Sequence, residues 1–402
     1  MFQDWYRNRR QDVTGWFKDL HRHPEVGFEE TRTSAFVAQR LRDMGLEPVT
    51  GIAGTGVVAT LHGTKGQSRT IGLRAELDAL PMTEDSGLPY ASTITGRAHG
   101  CGHDGHTITL LATAAYLSEH PDFFGSVRFI FQPAEELLTG AATMIAEGLF
   151  DRFPCDEIYA LHNMPGLAVG TIGVPVGAAM ASADAIDLII YADGTHASAP
   201  HTGADGVLAA CAFITSLQQV STRVIDARRA GVVSFGVIQG GSVRNILPAT
   251  VTLQGTLRTN DATARERLIK SIHNVARATE IAHSVKIDVE VRPMAPIAIN
   301  DATAAEAVVA AADHALGSGR AVLGVDAIMA SEDFAFMLEQ VTGAFFFVGQ
   351  DGPYPHHPKY AFDPDVIPTG AAVFIELVKS RGQRINSSTV RSAKLAAVNQ
   401  GE

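Results

Sequence analysis

The stretch VKIDVEVR at residues 285–292 alternates apolar and charged side chains without a break. Its four aliphatic residues would lie on one face of a strand and its four charged residues on the other. Such alternation is typical of a strand with one face in the core and one in water. Residues 249–258 alternate in a similar way, between aliphatic residues and threonine or glutamine. Both stretches therefore predict an antiparallel sheet with one wet face.

The segments upstream of this strand predict a compact domain at residues 183–297. The expected elements are a strand at 185–192, a helix at 203–221, strands at 231–239 and 249–258, a helix at 262–281 and the final strand at 284–292. The order β-α-β-β-α-β is that of a ferredoxin-like unit. We therefore expect this domain to be inserted into a larger one, formed by residues 1–182 and 298–402.

The larger domain has apolar runs that are continuous rather than alternating. They lie at residues 56–61, 70–73, 127–131, 158–161 and 344–348. Helical stretches separate them, at residues 4–20, 29–44, 106–119, 139–147, 302–316 and 366–380. Continuous runs predict strands that are buried on both faces, as in an α/β sheet covered by helices. The polar tail after Arg381 is expected to fray.

The composition is that of a globular protein. The 402 residues are 46% hydrophobic and 19% charged, and no apolar run approaches the ~18 residues that cross a bilayer. Lys and Arg (32) against Asp and Glu (43) give a formal charge of −11, which disfavours nucleic acid or an anionic membrane as the main partner. The three cysteines, and a beginning without the apolar core of a signal peptide, favour a cytoplasmic location.

The densest group of reactive side chains is HGCGHDGH at residues 99–106. Cys101 and His103 would point to different sides of a helix, but a glycine-rich turn allows both to face one point. Thiolate and imidazole are good ligands for zinc and similar divalent metals. The alternative is a tight turn with an incidental cysteine. A single Cys-x-His pair does not make a metal site.

Three further segments offer ligands. Glu135 and Glu136 follow a buried-strand signal, and two adjacent carboxylates could divide the roles of ligand and general base. The alternative is a solvated helix start, where glutamate is favoured. His162 ends another apolar run, with a core histidine as its alternative. His356 lies in a rigid Pro-His-His-Pro loop, which is a weak signal by itself.

Together these segments identify a known pattern. The chain resembles the dinuclear-metal aminoacylase/carboxypeptidase metallopeptidase family, in its branch of hippurate hydrolases, N-acyl-amino-acid amidohydrolases and auxin-conjugate hydrolases. The resemblance spans nearly the whole chain in the family's order. The motifs are LHRHPEVGFEE (20–30), RAELDALPM (74–82), HGCGHDGHT (99–107), FQPAEE (131–136), LHNMPG (161–166), THASAPH (195–201), NILP (245–248), SEDFAF (331–336) and HHPKYAF (356–362).

The resemblance implies a set of site residues in the larger domain. Cys101 would bridge two divalent metal ions (Mn, Zn, Co or Ni). His103 and His162 would hold one ion, and Glu136 and His356 would hold the other. Glu135 would be the general base. The implied fold is a metallopeptidase-type α/β catalytic domain with a mixed central sheet and an inserted ferredoxin-like lid.

The resemblance also assigns roles outside the ligand set. His196 would stabilise the scissile carbonyl or the substrate carboxylate, and Asn245 would contact the substrate. Asp78 would orient His103 by accepting the N–H that does not face the metal. The chain departs from the family's commonest pattern at two positions. Glu76 replaces an aspartate, and Thr195 replaces a glycine, which puts substrate range in doubt more than chemistry.

The prediction is a metal-dependent amidohydrolase that cleaves N-acyl amino acids, such as hippurate-like, N-acetyl or aryl-acyl conjugates, to a carboxylic acid and a free amino acid. A dipeptidase, carboxypeptidase or carbamoylase on the same scaffold is the runner-up. A cysteine hydrolase using Cys101 with His103 would leave the paired glutamates unexplained, and a silent binding protein would leave the complete ligand set unexplained. A homodimer or higher oligomer through residues 183–297 is expected, with no nucleic acid or membrane partner.

Overall fold

The computed structural model describes residues 1–383, so the fraying expected of the tail beyond them lies outside the described residues. The helices are α1 (Phe2–Arg22), α2 (Thr31–Asp43), α3 (His103–Glu119), α4 (Gly140–Ala146), α5 (Leu149–Arg152), α6 (Gly206–Val224), α7 (Ala262–His283), α8 (Ala302–Leu316), α9 (Phe334–Leu338) and α10 (Ile367–Arg381). Short 3₁₀ turns lie at Pro200–Thr202 and Pro364–Val366. No helix among residues 1–383 is both long enough and apolar enough to cross a membrane.

The strands are distributed along the whole described chain. They are β1 (Val49–Ile52), β2 (Gly56–His62), β3 (Thr70–Glu76), β4 (Ser126–Gln132), β5 (Glu157–Pro165), β6 (Ile172–Val174), β7 (Gly177–Met180), β8 (Ser182–Tyr191), β9 (Thr195–His196), β10 (Gly231–Gly240), β11 (Ile246–Leu247), β12 (Thr250–Thr259), β13 (Lys286–Ala295), β14 (Ala298–Asn300), β15 (Ala321–Leu323) and β16 (Gly343–Gln350).

The chain forms two compact units. The larger unit contains Met1–Val176, Asn300–Val325 and the chain from Met337 onward, and the smaller unit contains Gly177–Ile299 and Asp326–Phe336. The sequence placed the last of these segments with the larger domain. It groups with the smaller unit because Ala181 N–H donates to the carbonyl oxygens of Ile328 and Ala330, at 3.2 and 2.9 Å.

The larger unit is built on an eight-stranded mixed sheet in the order β1-β2-β4-β3-β5-β16-β6-β15. The four neighbours β4, β3, β5 and β16 run parallel. β2 runs antiparallel to β1 and β4, whereas β6 runs antiparallel to β16 and parallel to β15. All eight residues of β16 are buried, as the continuous apolar runs predict. Side chains of α1, α2, α3, α8 and α10 complete its core. Because parallel strands end at one edge, the segments that follow β3, β4, β5 and β16 meet there.

The smaller unit is the predicted ferredoxin-like domain. Its sheet has the order β10-β12-β8-β13 with every neighbouring pair antiparallel, and α6 and α7 supply the apolar layer against one face. In β13 the charged residues from Lys286 to Arg292 are exposed, while Ile287 is buried and Val289 and Val291 are partly buried. The fold class is therefore confirmed, with a mixed central sheet in one unit and a βαββαβ sheet in the other.

The main local difference concerns the start of α3. The sequence predicts a helix from residue 106, but α3 begins at His103. Gly102 precedes it with φ +96°, in the left-handed region that a glycine adopts without strain. A Cβ at this position would lie 2.3 Å from Asn163 Oδ1 and 2.5 Å from the Tyr360 hydroxyl. The glycine-rich turn is therefore real, but it ends one residue before His103.

Candidate metal centre

Four segments of the larger unit bring the six implied site residues together. Cys101 lies in the turn before α3, and His103 is the first residue of that helix. Glu135 and Glu136 lie in the turn after β4, at residues 133–138, which we call the glutamate turn. His162 belongs to β5, and His356 lies in the loop after β16.

The ligand atoms of these residues form overlapping groups within 4.8 Å. One group contains Cys101, His103 and His162, and another contains Cys101, Glu136 and His356, so that the thiol belongs to both. The Cys101 sulfur lies 3.3 Å from His162 Nε2. Glu136 Oε2 lies 3.4 Å from His356 Nε2. Such an arrangement can hold two cations that share the sulfur.

Glu135 belongs to a further group, with His103 and Glu136. Its Oε2 lies 3.8 Å from His103 Nε2, at about the same distance as Glu136 Oε1, which is 3.9 Å from that nitrogen. The two adjacent glutamates therefore face the same imidazole from one turn. Glu135 is buried, so its carboxylate acts in a largely desolvated place.

The chemistry of the donor set fits divalent metal ions. His103 Nε2 and Glu136 Oε1 are buried and have no hydrogen-bond partner among residues 1–383. A buried polar atom without a partner is costly, and a coordinated cation satisfies both a lone pair on nitrogen and a carboxylate oxygen. Thiolate, imidazole and carboxylate are together typical of zinc and its divalent neighbours.

The pKa values of the metal-free cluster show how strongly these groups interact. Burial, and the charges of Glu136 and Glu135, raise the pKa of the Cys101 thiol well above its usual range. Burial lowers the pKa of His162 to about 3, and the neighbouring His106 acts in the same direction. Burial alone would lower the pKa of His103, but the bond to Asp78 and nearby carboxylates raise it to about 10. Without a cation, a proton on His103 supplies positive charge to the cluster.

Asp78 holds two parts of the centre with one carboxylate. His103 Nδ1 donates to the Asp78 backbone oxygen at 2.9 Å and lies 3.2 Å from its Oδ1. The other carboxylate oxygen accepts the Glu136 backbone N–H at 2.9 Å. These contacts leave the His103 Nε2 atom directed at the cluster. His162 is oriented in the same manner, because its Nδ1 donates to the Asn163 carbonyl at 2.8 Å.

The loop after β16 distinguishes its two histidines. His356 has φ +68°, a left-handed conformation that costs free energy for any residue other than glycine. Its backbone N–H donates to the Gly100 carbonyl at 2.8 Å, which ties the loop to the turn before α3. His357 is not in a ligand group of the described chain, and its Nδ1 accepts the Lys359 N–H at 3.0 Å. The strain is thus at the implied ligand.

The structure also shows a buried polar network that spacing did not assign. Glu76 pairs with Arg74 along β3, and its Oε2 accepts the Nδ1 proton of His106 at 2.8 Å. His106 Nε2 lies 2.8 Å from Asn163 Oδ1. Burial would raise the pKa of Glu76, but Arg74 and His106 hold it well below its usual range. The signal in the sequence was the pair of charged residues, Arg74 and Glu76, directly after the apolar run at residues 70–73.

A second buried group ties α1 to the start of α3. His21 donates to Asp104 at 2.7 Å and lies 3.1 Å from Glu84, and its side chain is 1% exposed. Burial alone would lower the pKa of His21, but the bonds to these two carboxylates raise it to about 9. His21 is therefore an imidazolium at neutral pH, held between the carboxylates of Asp104 and Glu84.

His196 and Asn245 lie in the smaller unit, where they are neighbours. β9, which ends at His196, pairs with β11, and the Ala197 N–H donates to the Asn245 carbonyl at 3.0 Å. His196 is exposed, and its Nδ1 lies 2.7 Å from the Ser198 hydroxyl. Within this unit the two residues implied to contact substrate therefore share one small loop cluster.

Comparisons with known proteins identify a matching family, similar sequences and a similar solved structure. Residues 72–380 match the family described as peptidase family M20/M25/M40. The N-acetyl-L-cysteine deacetylase of Bacillus subtilis (strain 168) is 36% identical over 360 residues, which cover 89% of this chain and 85% of that protein. The hippurate hydrolase of Campylobacter jejuni is 35% identical over 372 residues, covering 91% and 96%. A solved structure, a dinuclear metal-binding peptidase of the M20 family from Bacillus subtilis, matches with a TM-score of 0.83 and 31% identity, covering 94% of this chain and 99% of that one.

Proposed function

The chain belongs to peptidase family M20/M25/M40 and is a metal-dependent amidohydrolase, and from this premise we propose that it hydrolyses N-acyl amino acids to a carboxylic acid and a free amino acid. Two similar proteins support this substrate class, because one is named for N-acetyl-L-cysteine and the other for hippurate. Both names describe an amino acid whose amine carries an acyl group.

The observation that carries the proposal is the pair of ligand groups that share one sulfur. We propose that Cys101 bridges two divalent ions, that His103 and His162 hold one, and that Glu136 and His356 hold the other. The members of each group lie within 4.8 Å of one another, which is compatible with one ion in each group. Manganese, zinc, cobalt and nickel all suit this donor set.

Glu135 is proposed to move the protons of the reaction. When bound, the two ions would acidify a water molecule and stabilise negative charge on the carbonyl oxygen. Glu135 would accept the proton of the attacking water and pass it to the amine that leaves. Its burial excludes bulk water from the carboxylate, and Glu136 beside it remains a ligand. The two glutamates thereby divide the work of base and ligand.

The smaller unit is proposed to contribute substrate contacts and the oligomer contact. His196 would stabilise the charge that develops on the carbonyl, and Asn245 would contact the substrate. Its sheet ends at β10 and β13, and the edge of a sheet can pair with a second copy of the chain. We therefore expect a homodimer, which light scattering of the purified chain would measure directly.

The test is a substrate screen on protein reconstituted separately with Mn, Co, Ni or Zn. N-acetyl, N-benzoyl and indole-acyl amino acids represent the proposed class, while dipeptides and N-carbamoyl amino acids represent the alternatives. Glu135→Gln serves as the reference variant, because it removes the proton carrier and leaves the ligand set. It should retain two metals per chain and lose turnover, whereas Glu136→Gln should lose metal as well.

Turnover of N-acyl amino acids that disappears with chelation and returns with metal would support the proposal. Preference for dipeptides or carbamoyl compounds would show that the proposed substrate class is wrong. Activity that resists chelation and depends on Cys101 would show that the mechanism is that of a cysteine hydrolase. A Glu135→Gln variant that loses its metal while Glu136→Gln keeps it would reverse the two assignments.

A further inference from the structure

The segment 25–30, from the first motif of the chain, packs directly against the glutamate turn. A Cβ at Gly27 would lie 3.1 Å from both Cα and Cβ of Ala134 and 3.0 Å from Leu137 Cδ1. Such distances are tighter than nearly all Cβ contacts, so a side chain at this position would require Ala134 or Leu137 to shift by a few tenths of an ångström. The segment also contacts the residue after Asp78, because the Ala79 N–H donates to the Glu25 carbonyl at 2.7 Å.

Glu30 is the polar part of this contact. Its side chain is fully buried, at 0% exposure, although Glu30 is neither an implied metal ligand nor the implied base. One carboxylate oxygen accepts the Ala134 N–H at 2.9 Å, and the other accepts the Thr55 hydroxyl at 2.6 Å. Both oxygens of the buried carboxylate are therefore used, one by the glutamate turn and one by a side chain that fixes its orientation.

The residue that Glu30 holds has an unusual backbone. Ala134 has φ +53°, in the left-handed region that residues with a Cβ rarely adopt. A conformation of this kind persists only where surrounding contacts impose it. The Glu30 bond to the Ala134 N–H is one such contact, and the close approach of Gly27 is another. The direction in which the chain enters residue 135 depends on this conformation.

The glutamate turn is held on its other side as well. The Glu136 N–H donates to Asp78 Oδ2, so buried carboxylates grip the backbone N–H groups on either side of Glu135. Glu135 lies between the two residues whose N–H groups are bound in this way. A shift at either one would move the base relative to the ligands. Displacements of about 1 Å at a reacting group are enough to cost a large part of the rate.

We propose that Glu30 is a positioning residue, whose carboxylate sets the conformation of Ala134 and through it the placement of Glu135 and Glu136. The part that concerns Glu135 rests on the proposed function, whereas the part that concerns Glu136 requires only that the centre binds metal. If Glu30 were only a structural anchor, its substitution would lower the stability of the fold and leave metal affinity and kcat unchanged. The two readings therefore differ in metal affinity and in kcat.

The experiment compares a disruptive and a conservative substitution of Glu30 with a matched control. Glu30→Leu removes both acceptors at similar volume, whereas Glu30→Gln retains an acceptor for Ala134 and a polar group toward Thr55. Glu25 is the control, because its carboxylate also accepts backbone N–H groups, of Arg32 and Thr33 at 3.0 and 2.8 Å. It holds the start of α2 and does not touch the glutamate turn through its side chain.

The primary measurement is the affinity of the metal-free chain for Mn²⁺ alone, by competition with a chelator. Glu30→Leu should weaken Mn²⁺ binding by about tenfold or more, the usual effect of losing a group that supports a ligand. Glu30→Gln should recover most of this loss. Thr55→Val, which frees one carboxylate oxygen without touching the turn, should show a smaller loss in the same direction. Glu25→Leu should lower the melting temperature and leave Mn²⁺ affinity unchanged.

A double variant tests whether the effect of Glu30 on Mn²⁺ binding passes through the glutamate turn. If Glu30 acts through the glutamate turn, Glu30→Leu should weaken Mn²⁺ binding far less in a Glu136→Gln background than in the unmodified chain. Where a substrate has been found, Glu30→Leu should also lower kcat by about tenfold or more with little change in KM. Failure of the substrate screen would leave the Mn²⁺ measurements fully interpretable.

Two outcomes would overturn the proposal. Glu30→Leu and Glu25→Leu could lower the melting temperature alike and both leave Mn²⁺ affinity unchanged, which is the behaviour of a simple anchor. Alternatively, Glu30→Leu could weaken Mn²⁺ binding by the same factor with and without Glu136. In that case its effect would reach the metal by another route, and Glu30 would not position the turn.

Discussion

Asp78→Asn perturbs two supports of the metal centre with a single change of atom. The buried carboxylate of Asp78 lies 3.2 Å from His103 Nδ1 through one oxygen and accepts the Glu136 N–H at 2.9 Å through the other. In the asparagine variant one of these oxygens becomes an NH₂ group, which can only donate. Either the Glu136 N–H then meets a donor, or the new NH₂ group faces His103 Nδ1, whose proton keeps the Asp78 backbone oxygen at 2.9 Å as its acceptor.

The size of the effect follows from that mismatch. A buried N–H left without an acceptor costs about 1–3 kcal/mol. If this cost falls on the metal-bound geometry, it corresponds to roughly a five- to 150-fold loss of metal affinity. Replacing a group that supports a metal ligand commonly costs about 10–100-fold, which is the same range. We therefore expect Mn²⁺ binding to weaken by about one to two orders of magnitude.

The assay is chelator competition for Mn²⁺ on the purified chain, with Asp184→Asn as the control. Asp184 is also fully buried, and it pairs with Arg265 in the smaller unit. Asp184→Asn should therefore lower the melting temperature without altering Mn²⁺ affinity. The reasoning is refuted if Asp78→Asn binds Mn²⁺ as tightly as the unmodified chain, or if the control loses as much affinity as Asp78→Asn does.

Three further predictions concern histidines. His356→Ala should reduce metal content and activity, whereas His357→Ala should be mild; equal losses, measured by metal analysis, would contradict the assignment. His196→Ala should keep its metal and lower kcat by about a hundredfold or more, the scale for one oxyanion donor, and near-normal turnover would remove it from the mechanism. The pKa of His21 is raised to about 9, so its contribution to stability is fully present below about pH 6.5 and lost as pH rises toward 9. Urea unfolding of metal-free His21→Gln should therefore show a flatter pH dependence than the unmodified chain between those values, and identical curves would contradict this.

Much of the fold was predictable because the burial of a strand determines the pattern of apolar residues along it. The strand at residues 285–292 has one wet face, and its alternation records that directly. β16 is buried on both faces and reads as a continuous apolar run. β6 and β15 were not predicted, since three residues are too few to show a period. The start of α3 was missed because Gly102 caps a helix whose first turn is rich in polar residues.

The ligand set could be proposed from the sequence because its motifs resemble those of a known family, whereas the chemistry of the thiol, imidazole and carboxylate groups left alternatives open. The contacts between carboxylates and backbone N–H groups that support it could not. Glu30 and Ala134 are 104 residues apart, and Asp78 and Glu136 are 58 apart. In both pairs a carboxylate meets a backbone N–H, which every residue except proline carries. The sequence therefore does not show which N–H group a buried carboxylate will bind, and only the three-dimensional structure identifies it.

The return of residues 326–336 to the smaller unit has a consequence for modular exchange between related enzymes. The chain passes between the units after residues 176, 299, 325 and 336, so the smaller unit is not a single removable cassette. A chimera that swaps only residues 177–299 would leave Ala181 facing a foreign segment in place of Ile328 and Ala330. Grafts of this unit should therefore carry both pieces together, and sequence change in one piece is expected to be matched by change in the other.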